Sequence, residues 1–134
     1  MNKLKFLSIS IGLIYLWFGA LKFFPGLSPA EMLASNTVEA ITFNIIPKNI
    51  GYFLLACLEI IIGFGLISLK FRRFFTILAI GHMICTFIPL FVFSTESFTE
   101  PPYGLTIVGQ YIMKNIIIVM ALVILLPERV KTPA

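Results

Sequence analysis

Four apolar stretches, each long enough to cross a hydrocarbon core, leave this chain very little else to fold with. They fall near residues 4–24, 50–69, 74–94 and 105–126. A core about 30 Å thick takes roughly 20 helical residues at about 1.5 Å of rise each. Inside such a core only helices and closed barrels satisfy the backbone, and stretches of this length read as helices. The expectation is an all-α fold: an integral membrane four-helix bundle over 1–134 as a single membrane domain, in contact with the lipid bilayer. Any chemistry must then sit in the bundle or on the one sizeable loop. Only 12% of the 134 residues are charged against 59% hydrophobic, far from the average soluble domain.

A net charge of +4 would suggest nucleic acid as a partner in a soluble protein. Here the basic residues are explained by orientation instead, and no nucleic-acid partner is expected. Lys3 and Lys5 precede the first span, Lys70, Arg72 and Arg73 fill the second connection, and Arg129 and Lys131 follow the fourth span. All seven belong on one side. The opposite loops carry Glu31, Glu39, Glu96 and Glu100, with Lys48 among them and Lys22 near that side. The positive-inside rule then puts both termini in the cytoplasm of a multi-pass protein of the bacterial inner membrane. A cleavable signal peptide over Met1 to Phe24 fits less well, because the apolar run is too long and Phe18 stands where a cut after Ala20 needs a small residue.

Between the first two spans, Ser28-Pro29-Ala30-Glu31 has the form of a helix start, with Ser28 as cap, Pro29 at the first helical position and Glu31 closing a capping box. Apolar Met32, Leu33, Val38 and Ile41 then alternate with polar neighbours, which predicts a short interfacial helix over about 28–44 that roofs the bundle at its outer end. The second connection is so short that spans two and three must be antiparallel neighbours. The third, from Ser94 to Gly104, is acidic, contains Pro101-Pro102 and is expected to be an outer loop.

Lipid offers a polar side chain no partner, so faces carrying small and polar residues should point into the bundle. Gly12, Tyr15, Gly19 and Lys22 share such a face in span one, as do Ala56, Glu59 and Gly63 in span two. His82, Cys85 and Thr86 precede Pro89 in span three, and Thr106, Gln110 and Lys114 align in span four. Counted from the outer ends, Glu59 and Lys114 both lie about nine residues deep, near the membrane centre. An ion pair between them is expected, since either charge alone costs about 2.5–3.5 kcal/mol. Pro89 should also release the carbonyl of Cys85. The predicted pocket is lined by Glu59, Lys114, His82, Gln110, Lys22, Tyr15 and Asn115. The bland alternative is a buried pair that only fixes which helices are neighbours. Cys57 and Cys85 lack Cys-x-x-Cys spacing and read as small buried residues, although a pairing across spans two and three stays open. The lone His82 argues against a dedicated metal or haem site.

Three segments resemble a known family. Leu16-Trp17-Phe18-Gly19-Ala20-Leu21-Lys22-Phe23-Phe24-Pro25, Leu58-Glu59-Ile60-Ile61-Ile62-Gly63 and Gly109-Gln110-Tyr111-Ile112-Met113-Lys114-Asn115 look like the DoxX-type small membrane proteins, closest to the YkgB or RclC-like branch. The resemblance implies a four-helix bundle of the inner membrane associated with redox metabolism. DoxX-like proteins include a subunit type of thiosulfate:quinone oxidoreductase, and the RclC-like branch is linked to resistance against reactive chlorine. This chain departs from that branch in its shorter first outer loop, which lacks a long polar insertion. The leading expectation is a redox- or oxidative-stress-associated membrane subunit whose pocket takes a quinone-like carbonyl compound. It shows no motif to hold a redox cofactor and no catalytic motif, so a redox partner protein would supply the electrons. A small transporter or proton pathway, which would call for a homo-oligomer, and a non-catalytic scaffold are the alternatives.

Overall fold

Long apolar runs become helices here because each backbone N–H and C=O finds its partner within the same segment. The computed structural model describes residues 2–126. In chain order these form α1 (Lys3–Leu21), α2 (Glu31–Ile41), α3 (Lys48–Ser68), α4 (Arg72–Cys85), α5 (Pro89–Val92), α6 (Ser94–Ser97), β1 (Phe98–Glu100), β2 (Gly104–Leu105) and α7 (Ile107–Leu125). Four helical segments are long and apolar enough to cross a membrane: Lys3–Leu21, Lys48–Ser68, Arg72–Val92 and Ile107–Leu125. Arg129 and Lys131, counted above among the basic residues, lie outside the described residues.

The four segments form a ring in which α1 packs most extensively on α3, α3 on α4, α4 on α7 and α7 back on α1. One end of the bundle carries Lys3, Lys5 and the α3–α4 turn with Lys70, Arg72 and Arg73, and is called the basic end here. The other carries α2 and the α6–β1–β2 segment with Glu31, Glu39, Glu96 and Glu100, and is the acidic end. Toward the basic end lies the apolar core, where Ile62, Leu66 and Leu122 are fully buried and Ile11, Met83 and Leu125 nearly so. Large apolar side chains such as Leu13, Trp17, Phe64, Ile77, Ile117 and Ile124 face outward. In lipid, apolar surface alone gives helices no reason to associate, so close backbone approach matters more. The α1–α3 seam is built that way. A Cβ on Gly12 would lie 2.8 Å from the carbonyl oxygen of Gly63, and one on Gly63 would lie 2.9 Å from that of Gly12. Below this crossing the buried Ser8 hydroxyl donates to the Leu66 carbonyl at 2.8 Å.

Helix ends differ from the sequence expectation for local reasons. α1 stops at Leu21 rather than 24, and its last turn tightens as Phe24 N–H donates to Leu21 O at 3.1 Å. Phe24 precedes Pro25, whose ring disfavours helical backbone before it. α2 starts at Glu31 with Ala30 as its cap residue and without a side-chain cap, so neither Ser28 nor Pro29 plays its expected part. Glu31 does reach back, but to the N–H of Gly26 at 2.8 Å. Left-handed Phe43 and Asn44 close α2 at Ile41 rather than near 44, with Asn44 N–H donating to Glu39 O at 2.9 Å. α2 packs chiefly on the start of α3, where its Val38 meets Gly51, and Glu39 pairs with Lys48 at 3.3 Å.

The segment expected as an outer loop contains α6 and a two-strand antiparallel ladder pairing Phe98 with Leu105 and Glu100 with Gly104. Thr106, expected on the inward face, is the N-cap of α7. Its hydroxyl accepts from Gly109 N–H at 3.0 Å and faces the Glu96 carbonyl at 2.8 Å.

Candidate functional site

Glu59 stands in the middle of α3, eleven residues from Lys48, and is buried with only 9% of its side chain exposed. Both of its oxygens are occupied. Oε2 accepts from the ammonium of Lys22 at 2.7 Å, and Oε1 faces Nε2 of His82 at 3.4 Å. The Lys22 and His82 side chains are 10% and 8% exposed, so three ionisable groups meet in a nearly closed space. Gly19 makes the approach possible, since a Cβ there would sit 3.0 Å from the Cβ of Glu59.

Lys22 is the C-cap of α1 at the acidic end, and its ammonium also lies 3.4 Å from the carbonyl of Phe18 one turn back. Helical side chains lean toward their own N-terminus. On α1 that lean carries Lys22 down into the bundle, toward Glu59, rather than out to the rim.

Behind His82 the network continues. The hydroxyl of buried Tyr15 lies 3.0 Å from His82 Nδ1 and 3.2 Å from the carbonyl of Ala79. One phenol has one proton to give, so two arrangements satisfy these distances. With a neutral His82 protonated at Nε2, Tyr15 donates to Nδ1. With a doubly protonated His82, Nδ1–H donates to the Tyr15 oxygen and the phenol turns its own proton to Ala79 O. In both, Nε2–H faces the carboxylate, because an unprotonated Nε2 would set two acceptors against each other. Lys22–Glu59–His82–Tyr15 is therefore a linear chain that can take up one proton by reversing one hydroxyl.

The expected Glu59–Lys114 pair is not formed. Lys114 is exposed, with its ammonium 5.1 Å from the centre of the Tyr111 ring, and makes no ion pair among the described residues. The reason is azimuth. Lys114 follows buried Ile112 by two residues, which is about 200° around a helix and almost opposite. Gln110, four residues earlier, shares that outward side and is also exposed, and its side-chain amide donates only at 3.5 Å to Leu105 O. Neither equal depth nor the polar alignment of Gln110 with Lys114 determines facing.

Asn115 takes a structural role. Its amide donates to the Thr86 hydroxyl at 3.0 Å, and Thr86 donates to Met83 O at 2.6 Å. These bonds tie α7 to the break between α4 and α5. Nor is the Cys85 carbonyl released as expected, because Ile88 N–H donates to it at 3.2 Å across a tightened turn before Pro89. Cys57 and Cys85 are free thiols, with Cys85 exposed.

The sequence reading brought Glu59, His82, Lys22 and Tyr15 to one site but missed the partner of the carboxylate. The signal was available in the lean of Lys22 along α1. Fully buried Thr76 was not anticipated either, and its hydroxyl has no hydrogen-bond partner among the described residues.

A comparison with protein-family models, curated proteins and solved structures found no match.

Proposed function

We propose that this chain is a small multi-pass membrane protein that serves membrane redox chemistry, with the Lys22–Glu59–His82–Tyr15 network as the centre that binds and protonates a quinone-like carbonyl compound. The observation that supports this reading is the buried carboxylate held between an ammonium at 2.7 Å and an imidazole at 3.4 Å, with a phenol behind them. Reducing a quinone to a quinol takes two electrons and two protons. The network stores protons where acyl chains and quinones reside, and a partner protein supplies the electrons. Lys22, at the C-cap of α1, is the donor that a carbonyl oxygen entering from the acidic end meets first. His82 and Tyr15 refill it through Glu59. The likeness of the first two segments to DoxX-type proteins, which carry Lys22 and Glu59, points the same way. On this reading the basic end faces the cytoplasm of a bacterial inner membrane.

A transmembrane proton path is the weaker reading, because Ile62, Leu66 and Leu122 at 0% exposure and Leu125 at 1% pack the bundle toward the basic end. Such a plug closes the route from the network to the basic end. The test is saturable binding of a soluble ubiquinone or menaquinone analogue to the purified protein in nanodiscs. Wild type is expected to saturate, Lys22→Met to weaken binding at least about tenfold, which is about 1.4 kcal/mol, and Lys114→Met to leave it unchanged. Absence of saturable binding refutes the proposal.

A further inference from the structure

The seam between α3 and α4 widens at the basic end into a groove of about 420 Å³. Ile61, Phe64 and Gly65 form its α3 wall, Phe75 closes it from α4, and Ser68 and Lys70 stand at its mouth. The floor depends on Gly65, because a Cβ there would run into the ring of Phe75. Any larger residue would push that ring away and close the space beneath it. From Ile61 to Ser68 the groove rises about 10 Å along α3.

The mouth is shaped by the turn. Leu69 and Phe71 both adopt left-handed backbone, each with φ near 59°, although neither is glycine. Left-handed backbone is strained for a residue with a side chain and persists where the surroundings hold it. Here the two residues put Lys70 at the tip, its ammonium 5.8 Å from the centre of the Phe71 ring, with Arg72 and Arg73 following at once. Phe71 itself is 72% exposed and Phe64 62%. Every acidic side chain among the described residues lies at the acidic end or in the Glu59 network. Three cations therefore stand together at the end of an apolar slot, without a local counter-charge among the described residues.

We infer that this groove is a binding site for one anionic phospholipid of the adjoining leaflet, with an acyl chain along Ile61, Phe64 and Phe75 and its head-group phosphate at Lys70, in the field of the two arginines that follow. Charge complementarity selects this occupant. A neutral lipid would leave the cations unmatched, and a second copy of the chain would bring the same positive turn against itself. The slot takes the upper part of an acyl chain, and the Ser68 hydroxyl, which bonds Gly65 O at 3.1 Å, stands at the level of the glycerol backbone.

The experiment measures the association of spin-labelled phosphatidylglycerol and phosphatidylcholine with the full chain in vesicles, read as the motionally restricted fraction. Wild type should prefer phosphatidylglycerol severalfold, and the preference should fall with salt. Lys70→Gln should reduce it roughly fivefold, the worth of one surface charge, and Lys70→Gln with Arg73→Gln should abolish it. Both positions are exposed, so helicity and thermal unfolding should be unchanged and report folding separately. Equal association of the two lipids overturns the inference. So does an undiminished preference in the double variant, or a dimer cross-linked through Phe64 and Phe71 that excludes lipid from the groove.

Discussion

Replacing Lys22 with methionine removes the ammonium 2.7 Å from a carboxylate that is 91% hidden, by difference from its 9% exposure. Breaking one side of a buried pair costs about 3–5 kcal/mol, because the remaining charge has lost both water and partner. His82, 3.4 Å from the other oxygen, keeps the value near the lower limit, about 3 kcal/mol. Glu59→Gln preserves shape and leaves Lys22 at a helix end, from which its stem can swing outward, so about 1–2 kcal/mol is expected. With both changes made, the charge that was stranded is gone, and the pair should cost little more than Glu59→Gln alone. The coupling energy is then about 2–3 kcal/mol. Lys114→Met should shift stability by less than about 0.5 kcal/mol and show no coupling to Glu59. Unfolding in mixed micelles of a mild detergent and dodecyl sulfate, followed by helical circular dichroism, measures all of these. A Glu59–Lys114 coupling as large as the Glu59–Lys22 one would refute the reasoning.

Gly12→Ala and Gly63→Ala should each cost about 1–3 kcal/mol by the same assay, since the new methyl meets backbone. Gly81→Ala, with nothing within 4 Å, should be neutral or stabilising by up to about 1 kcal/mol; equal effects at all three would contradict the α1–α3 crossing. Tyr15→Phe removes the hydroxyl that meets His82 Nδ1 and should cost about 1–2 kcal/mol. It should also move the ring nitrogen signals of His82, and an unchanged imidazole spectrum would place the phenol elsewhere. In a background of Cys57→Ala and Cys85→Ala, a fluorophore on Lys114→Cys should be quenched by brominated lipid far more than one on Ala56→Cys. Equal quenching would put position 114 inside the bundle.

The four long apolar helices were legible from their length and hydropathy, and the inward faces of α1 and α3 because small residues mark them. Gly12, Tyr15 and Gly19 recur at helical spacing among bulky Leu, Trp and Phe, and only the small face allows close approach. α7 gives no such contrast. Its Ile, Val, Met and Leu surround the helix, so the polar alignment of Thr106, Gln110 and Lys114 is the one cue to azimuth, and it misleads: Thr106 caps the helix while Gln110 and Lys114 face outward. Axial position is countable at about 1.5 Å per residue, whereas facing depends on which neighbours α7 meets. The missed Lys22–Glu59 pair had a different origin. Lys22 belonged to the predicted pocket lining, but only the side-chain lean toward the helix start, at the point where α1 ends, directs its ammonium onto the carboxylate. At Pro89 the expectation of a freed carbonyl assumed an uninterrupted helix. The chain breaks at 86–88 instead, and Asn115 and Thr86 secure that break from two helices.

The site is defined by which ammonium meets the carboxylate of residue 59. Dipolar recoupling in solid-state NMR, between the carboxyl carbon of Glu59 and lysine side-chain nitrogens of the protein in bilayers, decides it. Lys22→Arg and Lys114→Arg samples assign the signal. A strong coupling that vanishes with Lys22→Arg and survives Lys114→Arg is the expected result. A coupling lost only with Lys114→Arg would contradict the site as described.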